Sequence, residues 1–146
     1  MSALARLAEL GIELPDVPAP AGAYVPAVRT GNLVYTAGQV ARGWSGKVGA
    51  EVSEAEGKAA ARSCALNALA AVDALVGLDS VVRVVKVVGF VASAPGFTGQ
   101  PGVINGASEL LGEVFGEAGT HARSAVGVAE LPLGVPVEVE LIVEVR

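Results

Sequence analysis

The chain of 146 residues holds one cysteine, Cys64, and one histidine, His121. A lone cysteine excludes an intramolecular disulfide. One thiol and one imidazole also exclude the cysteine- and histidine-rich ligand sets that hold zinc. A metal site would have to be built from carboxylates alone, and their spacing offers none. Aromatic residues are scarce, at one Trp, two Tyr and three Phe. The ten basic residues are outnumbered by fifteen acidic ones, for a formal net charge of −5. They are scattered, with no basic stripe to track phosphates and few rings to stack on bases, so a nucleic-acid partner is not expected. No apolar run approaches the ~18 residues of a membrane span; the longest valine-rich segment, Val81 to Ala92, is broken by Arg83 and Lys86. The first fifteen residues carry Arg6, Glu9 and Glu13 instead of the basic-then-apolar layout of a signal peptide. A cytoplasmic protein without a membrane partner is expected.

What the chain has in excess is apolar surface. Just over half of it, 52%, is hydrophobic, and mean hydropathy is +0.56. The length is that of one domain. So much apolar area in so short a chain implies either an unusually large core or a face buried against partner subunits.

Residues 2 to 10 read as a short helix with Leu4, Leu7 and Ala8 on one face and Gly11 as its stop. The run Pro15-Asp16-Val17-Pro18-Ala19-Pro20 reads as an extended linker. The division is therefore residues 1–20, a helical appendage with its linker, and residues 21–146, the main domain. Tyr24 to Val28 and Leu33 to Ala37 are strand candidates around a Thr30-Gly31-Asn32 turn. Gly38 ends the second and permits a bulge. Gly43, Gly46 and Gly49 mark loops or a short third strand around Trp44 and Lys47. A helix over about 54–76 is announced by Ser53 and Glu56 as a capping box, by the stripe Ala61, Ala65, Ala68, Leu69, Val72, Leu75, Val76, and by Gly77 as its stop. Cys64 falls on this stripe and reads as an inert core residue. Val81 to Ala92 reads as a strand with valine on both faces, which requires cover on both. A Gly/Pro loop at 93–102 precedes a second amphipathic helix over about 103–118, and strands at about 123–129 and 136–145 close the chain. The order predicts an α+β layer, one mixed sheet with two helices on one face. Little of the chain is left for the other face, and a neighbouring subunit is its expected cover.

In the last strand Val137, Val139, Leu141, Val143 and Val145 share one face, and Glu138, Glu140, Ile142 and Glu144 share the other. The preceding strand opens on Arg123. A guanidinium on a rigid strand near a carboxylate is the raw material of a site for small acids, because its planar fork matches a carboxylate. On spacing alone Arg123 reads sooner as an ordinary surface arginine or an intersubunit ion-pair partner, and Glu138 and Glu140 as the solvated side of an edge strand; the motif around Arg123 reverses that order. Tyr24 reads as hairpin packing or as a cleft wall. His121 reads as a loop residue near a cleft mouth sooner than as a general base. Trp44 reads as a cleft cap or as an interface residue.

Several segments, in order, resemble the Rid family of YjgF-like proteins, the reactive intermediate deaminases. Ala21-Gly22-Ala23-Tyr24, Ala27-Val28 and Gly31-Asn32-Leu33-Val34-Tyr35-Thr36-Ala37-Gly38-Gln39 resemble its N-terminal hairpin. Gly46-Lys47-Val48 matches the loop before the first helix. Ala122-Arg123-Ser124, Val126, Val128, Leu131-Pro132 and Val137-Glu138-Val139-Glu140 resemble its C-terminal signature. The resemblance spans residues 22 to 145. Departures are Pro26, Ala37, Ala125 and His121, where the common pattern has a polar residue, serine, cysteine and proline. With the added N-terminal helix, they resemble a longer YjgF-like subgroup.

The resemblance implies a chorismate-mutase-like fold and a homotrimer with intersubunit clefts that bind a small carboxylate-bearing ligand. It implies hydrolysis of enamines and imines to 2-keto acids and ammonia, with no metal and no cofactor. Carried onto this chain, Arg123 grips the substrate carboxylate and Glu138 positions or activates water. Tyr24 and Gly38 line the cleft, and Asn105 matches a binding asparagine. The alternatives are a trimer that binds small carboxylates without catalysis, regulatory or chaperone-like, and an endoribonuclease, a label some members carry.

Overall fold

In a computed structural model, which describes residues 1–17, 19–20 and 22–146, nine principal elements follow one another. They are α1 (Ala3–Leu10), β1 (Ala27–Thr30), β2 (Leu33–Thr36), β3 (Gln39–Val40), α2 (Glu54–Val76), β4 (Val81–Ala92), α3 (Gln100–Phe115), β5 (Ala122–Val128) and β6 (Val137–Val145). One mixed sheet runs in the order β1-β2-β6-β4-β5, with β3 also paired to β6. Only β4 and β5 are parallel; the other pairs are antiparallel. The α+β layer expected from the sequence is present, with α2 and α3 on one face. Pro18 of the expected linker and Ala21 of the hairpin motif lie outside the described residues.

The alternation read in the last strand holds along all of β6. Val137, Val139, Leu141, Val143 and Val145 are buried under the helices, and the even-numbered residues are half-buried on the far side. Burying each such aliphatic side chain contributes about 1.5–3 kcal/mol. β4 obeys a subtler rule. Its pairing with β6 shifts between Val81 and Arg83 and again between Val84 and Lys86. Such a bulge reverses which side chains face the core. Val84 and then Val87, Gly89 and Val91 therefore all face the helices, although Val84 and Val87 are three apart. Val88 and Phe90, with Val126 of β5 and Val28 and Tyr35 of the hairpin, are left on the far face, which no helix among the described residues covers.

α2 has the expected bounds. Ser53 Oγ accepts from the Glu56 N–H and Glu56 Oε1 accepts from the Ser53 N–H, both at 3.1 Å. Those bonds hold the Glu56 carboxyl below its ordinary range. The helix is long and apolar enough to match a membrane span by composition, against the expectation that no segment would be. Its alanines raise hydropathy without forming an uninterrupted run, and its buried stripe, Cys64 included, packs against the sheet and α3. The two helices approach so closely that a Cβ at Gly106 would collide with the Lys58 carbonyl.

Several boundaries differ from the sequence reading. α3 starts at Gln100, not 103, because proline is tolerated in a first helical turn and Pro101 occupies it. It ends at Phe115 and continues as a 3-10 turn, Gly116–Gly119. β1 begins at Ala27, not Tyr24, and the hairpin turn is the pair Gly31-Asn32, with Gly31 at φ 56°. The third strand is Gln39–Val40, ahead of Trp44, and Trp44 packs half-buried against the core.

The N-terminal helix is not an appendage. Ala3 and Leu7 are buried in the common core, whereas Leu4 is 42% exposed, so the docked face is not the one read from the sequence. The Leu4 N–H donates to Asp79 Oδ1 at 3.0 Å, and Arg6 Nε donates to the Glu113 carbonyl at 2.9 Å. These bonds aim the helix at the end of α3 and at the 3-10 turn Leu78–Ser80. Leu7→Ala is therefore expected to cost about 2–3 kcal/mol in denaturant unfolding. A loss below about 0.5 kcal/mol would mean that α1 contributes no packing.

Candidate functional site

Two clusters of polar side chains occur, on opposite sides of the sheet. The first gathers around Arg123. β5 is the outer strand beside β4, and its register places Ala125 opposite Gly89 and Gly127 opposite Val91, both on the helix side. Arg123 shares that side. Its Nη1 donates to Asn105 Oδ1 at 2.8 Å and to Ser108 Oγ at 3.1 Å, and its Nη2 donates to the Pro101 carbonyl at 3.3 Å. All three acceptors belong to α3, so the strand edge and one helix fix the guanidinium together. Among the described residues it makes no ion pair. A half-exposed cation held only by neutral oxygens keeps its charge for an anion from outside. Asn105, expected from the sequence, is there. Ser108 was not foreseen, because nothing marks it in a helix read for its apolar stripe. His121 lies against Ser108, with Nε2 at 2.9 Å from Ser108 Oγ and Nδ1 at 2.6 Å from the Gly119 oxygen.

The second cluster lines a cleft of about 630 Å³ where the sheet opens between β2 and β3. Tyr35 pairs with Ile142 but Gln39 with Val139, so four steps along the hairpin strand meet three along β6. This is the bulge anticipated at Gly38. Thr36 Oγ1 accepts the Leu141 N–H at 3.0 Å where the ladder is interrupted. The freed segment leaves a gap, and Glu138 fills it. A Cβ at Gly38 would collide with Glu138 Oε2, so glycine is what lets the carboxylate lie across the strand. Burial raises the Glu138 carboxyl above its ordinary range, and the like charge of Glu140 raises it further. Tyr24, Gly38 and Glu138 line this cleft together. Gln39, the last residue of the hairpin motif, also lines it, as do Arg42 and Asn67, which had no signal in the sequence. Leu133, 75% exposed and in the left-handed region at φ 63°, stands at its rim.

Arg123 and Glu138 therefore do not meet within one chain. Arg123 turns toward α3, while Glu138 lies on the face of β6 opposite its buried valines. The Arg123 guanidinium and the cleft that holds Glu138 are separate within the chain. Among the described residues no cluster of three or more potential ligands could hold a metal.

Residues 15–145 match the family model described as Endoribonuclease L-PSP. Protein TCP17 of Trypanosoma cruzi is 48% identical over 149 residues, covering 97% of this chain and 93% of that protein. The crystal structure of Atu1372 from Agrobacterium tumefaciens, a protein of unknown function, superposes with a TM-score of 0.91 at 45% identity, covering 99% of this chain and 92% of that one. The YjgF gene product of E. coli superposes with a TM-score of 0.64 at 33% identity, covering 90% of this chain and 94% of that one.

The raised Glu138 carboxyl has a consequence for stability. A folded-state value above the unfolded one means that the native protein binds the proton more tightly, so its contribution is present at low pH and lost as pH rises from the ordinary 4.5 upward. Glu138→Gln has no proton to lose. The melting temperature of Glu138→Gln relative to wild type is expected to rise between about pH 4 and pH 7. A difference that stays constant or falls over that range would show that Glu138 is not strained by its surroundings.

Proposed function

The chain belongs to the Endoribonuclease L-PSP family, which includes YjgF and RidA, and from that membership we propose that it is an enamine/imine deaminase. Small reactive imines derived from amino acids are hydrolysed to 2-keto acids and ammonia. The observation that carries the reading is Arg123, a fixed guanidinium with neutral acceptors behind it and no carboxylate partner among the described residues. Such a group takes a substrate carboxylate by two parallel hydrogen bonds. An imine carbon is already electrophilic. The protein needs only to orient it against water and to manage protons. Glu138, half-buried beside Gly38, is the group to hold and activate that water.

The separation of the two halves supports a site shared between subunits. In a homotrimer the uncovered face of the sheet, with Val28, Tyr35, Val126, Val88 and Phe90, packs around a common axis. That packing brings Arg123 and Asn105 of one subunit toward Tyr24, Gly38 and Glu138 of the next. The substrate then lies in the cleft between them, and no metal or cofactor takes part.

The family's description favours a second reading, endoribonuclease. Against it stand the net charge of −5 and the scattered basic residues. A third reading, a trimer that binds small carboxylates without chemistry, keeps Arg123 and gives up Glu138 as a base.

Light scattering coupled to gel filtration should give three times the chain mass at micromolar concentration. A monomer there would remove the shared site. With imines generated from amino acids by an oxidase, wild type should accelerate ammonia release. Arg123→Lys should lose about 2–4 kcal/mol of transition-state stabilisation, a factor of roughly 30 to 1,000 in rate, because an ammonium lets the carboxylate pivot. Glu138→Gln should lower kcat with little change in KM. Wild-type activity from Arg123→Lys would show that Arg123 is not the anchor. Inactivity of the wild type on several imines, with retained binding of a keto acid, selects the third reading.

A further inference from the structure

Ser108 and His121 form a connected pair that the reaction above does not use. Three hydrogen bonds run in series: Arg123 Nη1 to Ser108 Oγ at 3.1 Å, Ser108 Oγ to His121 Nε2 at 2.9 Å, and His121 Nδ1 to the Gly119 oxygen at 2.6 Å. The carbonyl can only accept, so Nδ1 carries a hydrogen. In the neutral ring Nε2 is then the acceptor, and the Ser108 hydroxyl must be its donor. A hydroxyl sits between a base and a cation, and the base is oriented from behind by a third group. That is the arrangement by which side chains pass protons to a bound reactant.

We propose that Ser108 and His121 are a proton relay serving the ligand held by Arg123, an inference that rests on the imine-hydrolysis reading. Ser108 is the catalytic residue, and His121 is the positioning residue that acts through it. Ser108 as a nucleophile fits less well. It lies in the middle of α3, where backbone N–H groups are committed to the helix and cannot stabilise an oxyanion beside it.

The relay balances without any added reagent. As water adds to the imine carbon, the oxygen–carbon bond forms and the C=N π pair moves to nitrogen. Glu138 takes a proton from the water oxygen and gives it to that nitrogen. In the second step the carbinolamine hydroxyl gives up its proton through Ser108 to His121 Nε2, and the same path returns it to nitrogen. The C–N bond breaks with its electron pair on nitrogen, C=O forms, and ammonia departs with the returned proton. The charged groups near His121 are Arg123 on β5, Lys86 opposite Ala122 on β4, Arg83, which donates to the Thr120 carbonyl, and Glu117 in the 3-10 turn.

The test uses the full chain, in which His121 is the sole imidazole, so its ring nitrogens need no assignment. Ser108→Ala and His121→Phe should each lose roughly 100-fold in kcat on oxidase-generated imines, with KM changed by less than about threefold. Ser108→Thr should keep most of the rate. A raised KM with unchanged kcat would show that the pair merely braces Arg123 and would overturn the relay. If wild type hydrolyses no imine, the deaminase reading fails by itself, and ring nitrogen-15 spectra with pyruvate as the probe decide the relay. An Nδ1–H tautomer whose Nε2 signal moves on adding pyruvate, and does not move in Ser108→Ala, supports it. An Nε2–H tautomer, or an Nε2 signal indifferent to pyruvate, overturns it.

Discussion

Everything in this molecule hangs on β6, the strand paired on both sides in the middle of the sheet. Its alternation commits five aliphatic side chains to the helices and leaves Glu138, Glu140, Ile142 and Glu144 on the other side. A one-residue slip would bury the glutamates and expose the valines, so the register is set by the cost of burying charge. Neighbouring strands inherit that register. Where they cannot keep it, they bulge: β4 does so twice, and the β2–β3 hairpin strand does so at Gly38.

The irregularities are where chemistry becomes available. A regular ladder would occupy the space beside β6 with backbone, but the break after Thr36 leaves a gap, and Glu138 occupies it. The carboxylate is half-desolvated there and has a like charge at Glu140, so it resists ionisation. The opposite device holds Arg123. It lies on the outer strand and is surrounded by neutral oxygens from α3. One group is held where its charge is disfavoured, the other where its charge is kept unspent. This difference in environment fits the roles proposed for the pair, binding an anion and activating water.

One-sided cover is the other constraint. α2 and α3 shield one face, and α1 spends itself on α3 and the turn after α2 instead of reaching the sheet. The remaining face is acidic along the central β6 and apolar on the strands that flank it, a composition that fits the proposed association around a shared axis.

The sequence by itself determined the element order, the bounds of α2, the alternation of β6 and the bulge at Gly38. Each rests on short-range chemistry: a capping box, period-two burial, a glycine where a side chain cannot fit. It also singled out Arg123, Asn105, Tyr24, Gly38 and Glu138 through their place in recognisable segments. Only the tertiary structure decided the rest. The docking face of α1 depends on Asp79 and Glu113, far away along the chain. The phase of β4 depends on pairing shifts that valine at nearly every position conceals. Ser108 and His121 meet because α3 and β5 lie side by side, and a helix serine thirteen residues before a loop histidine carries no local sign of that meeting. Arg123 and Glu138 part for the same reason. Sequence gives the faces of each strand, but which face of β5 matches which face of β6 is settled only when the sheet is assembled.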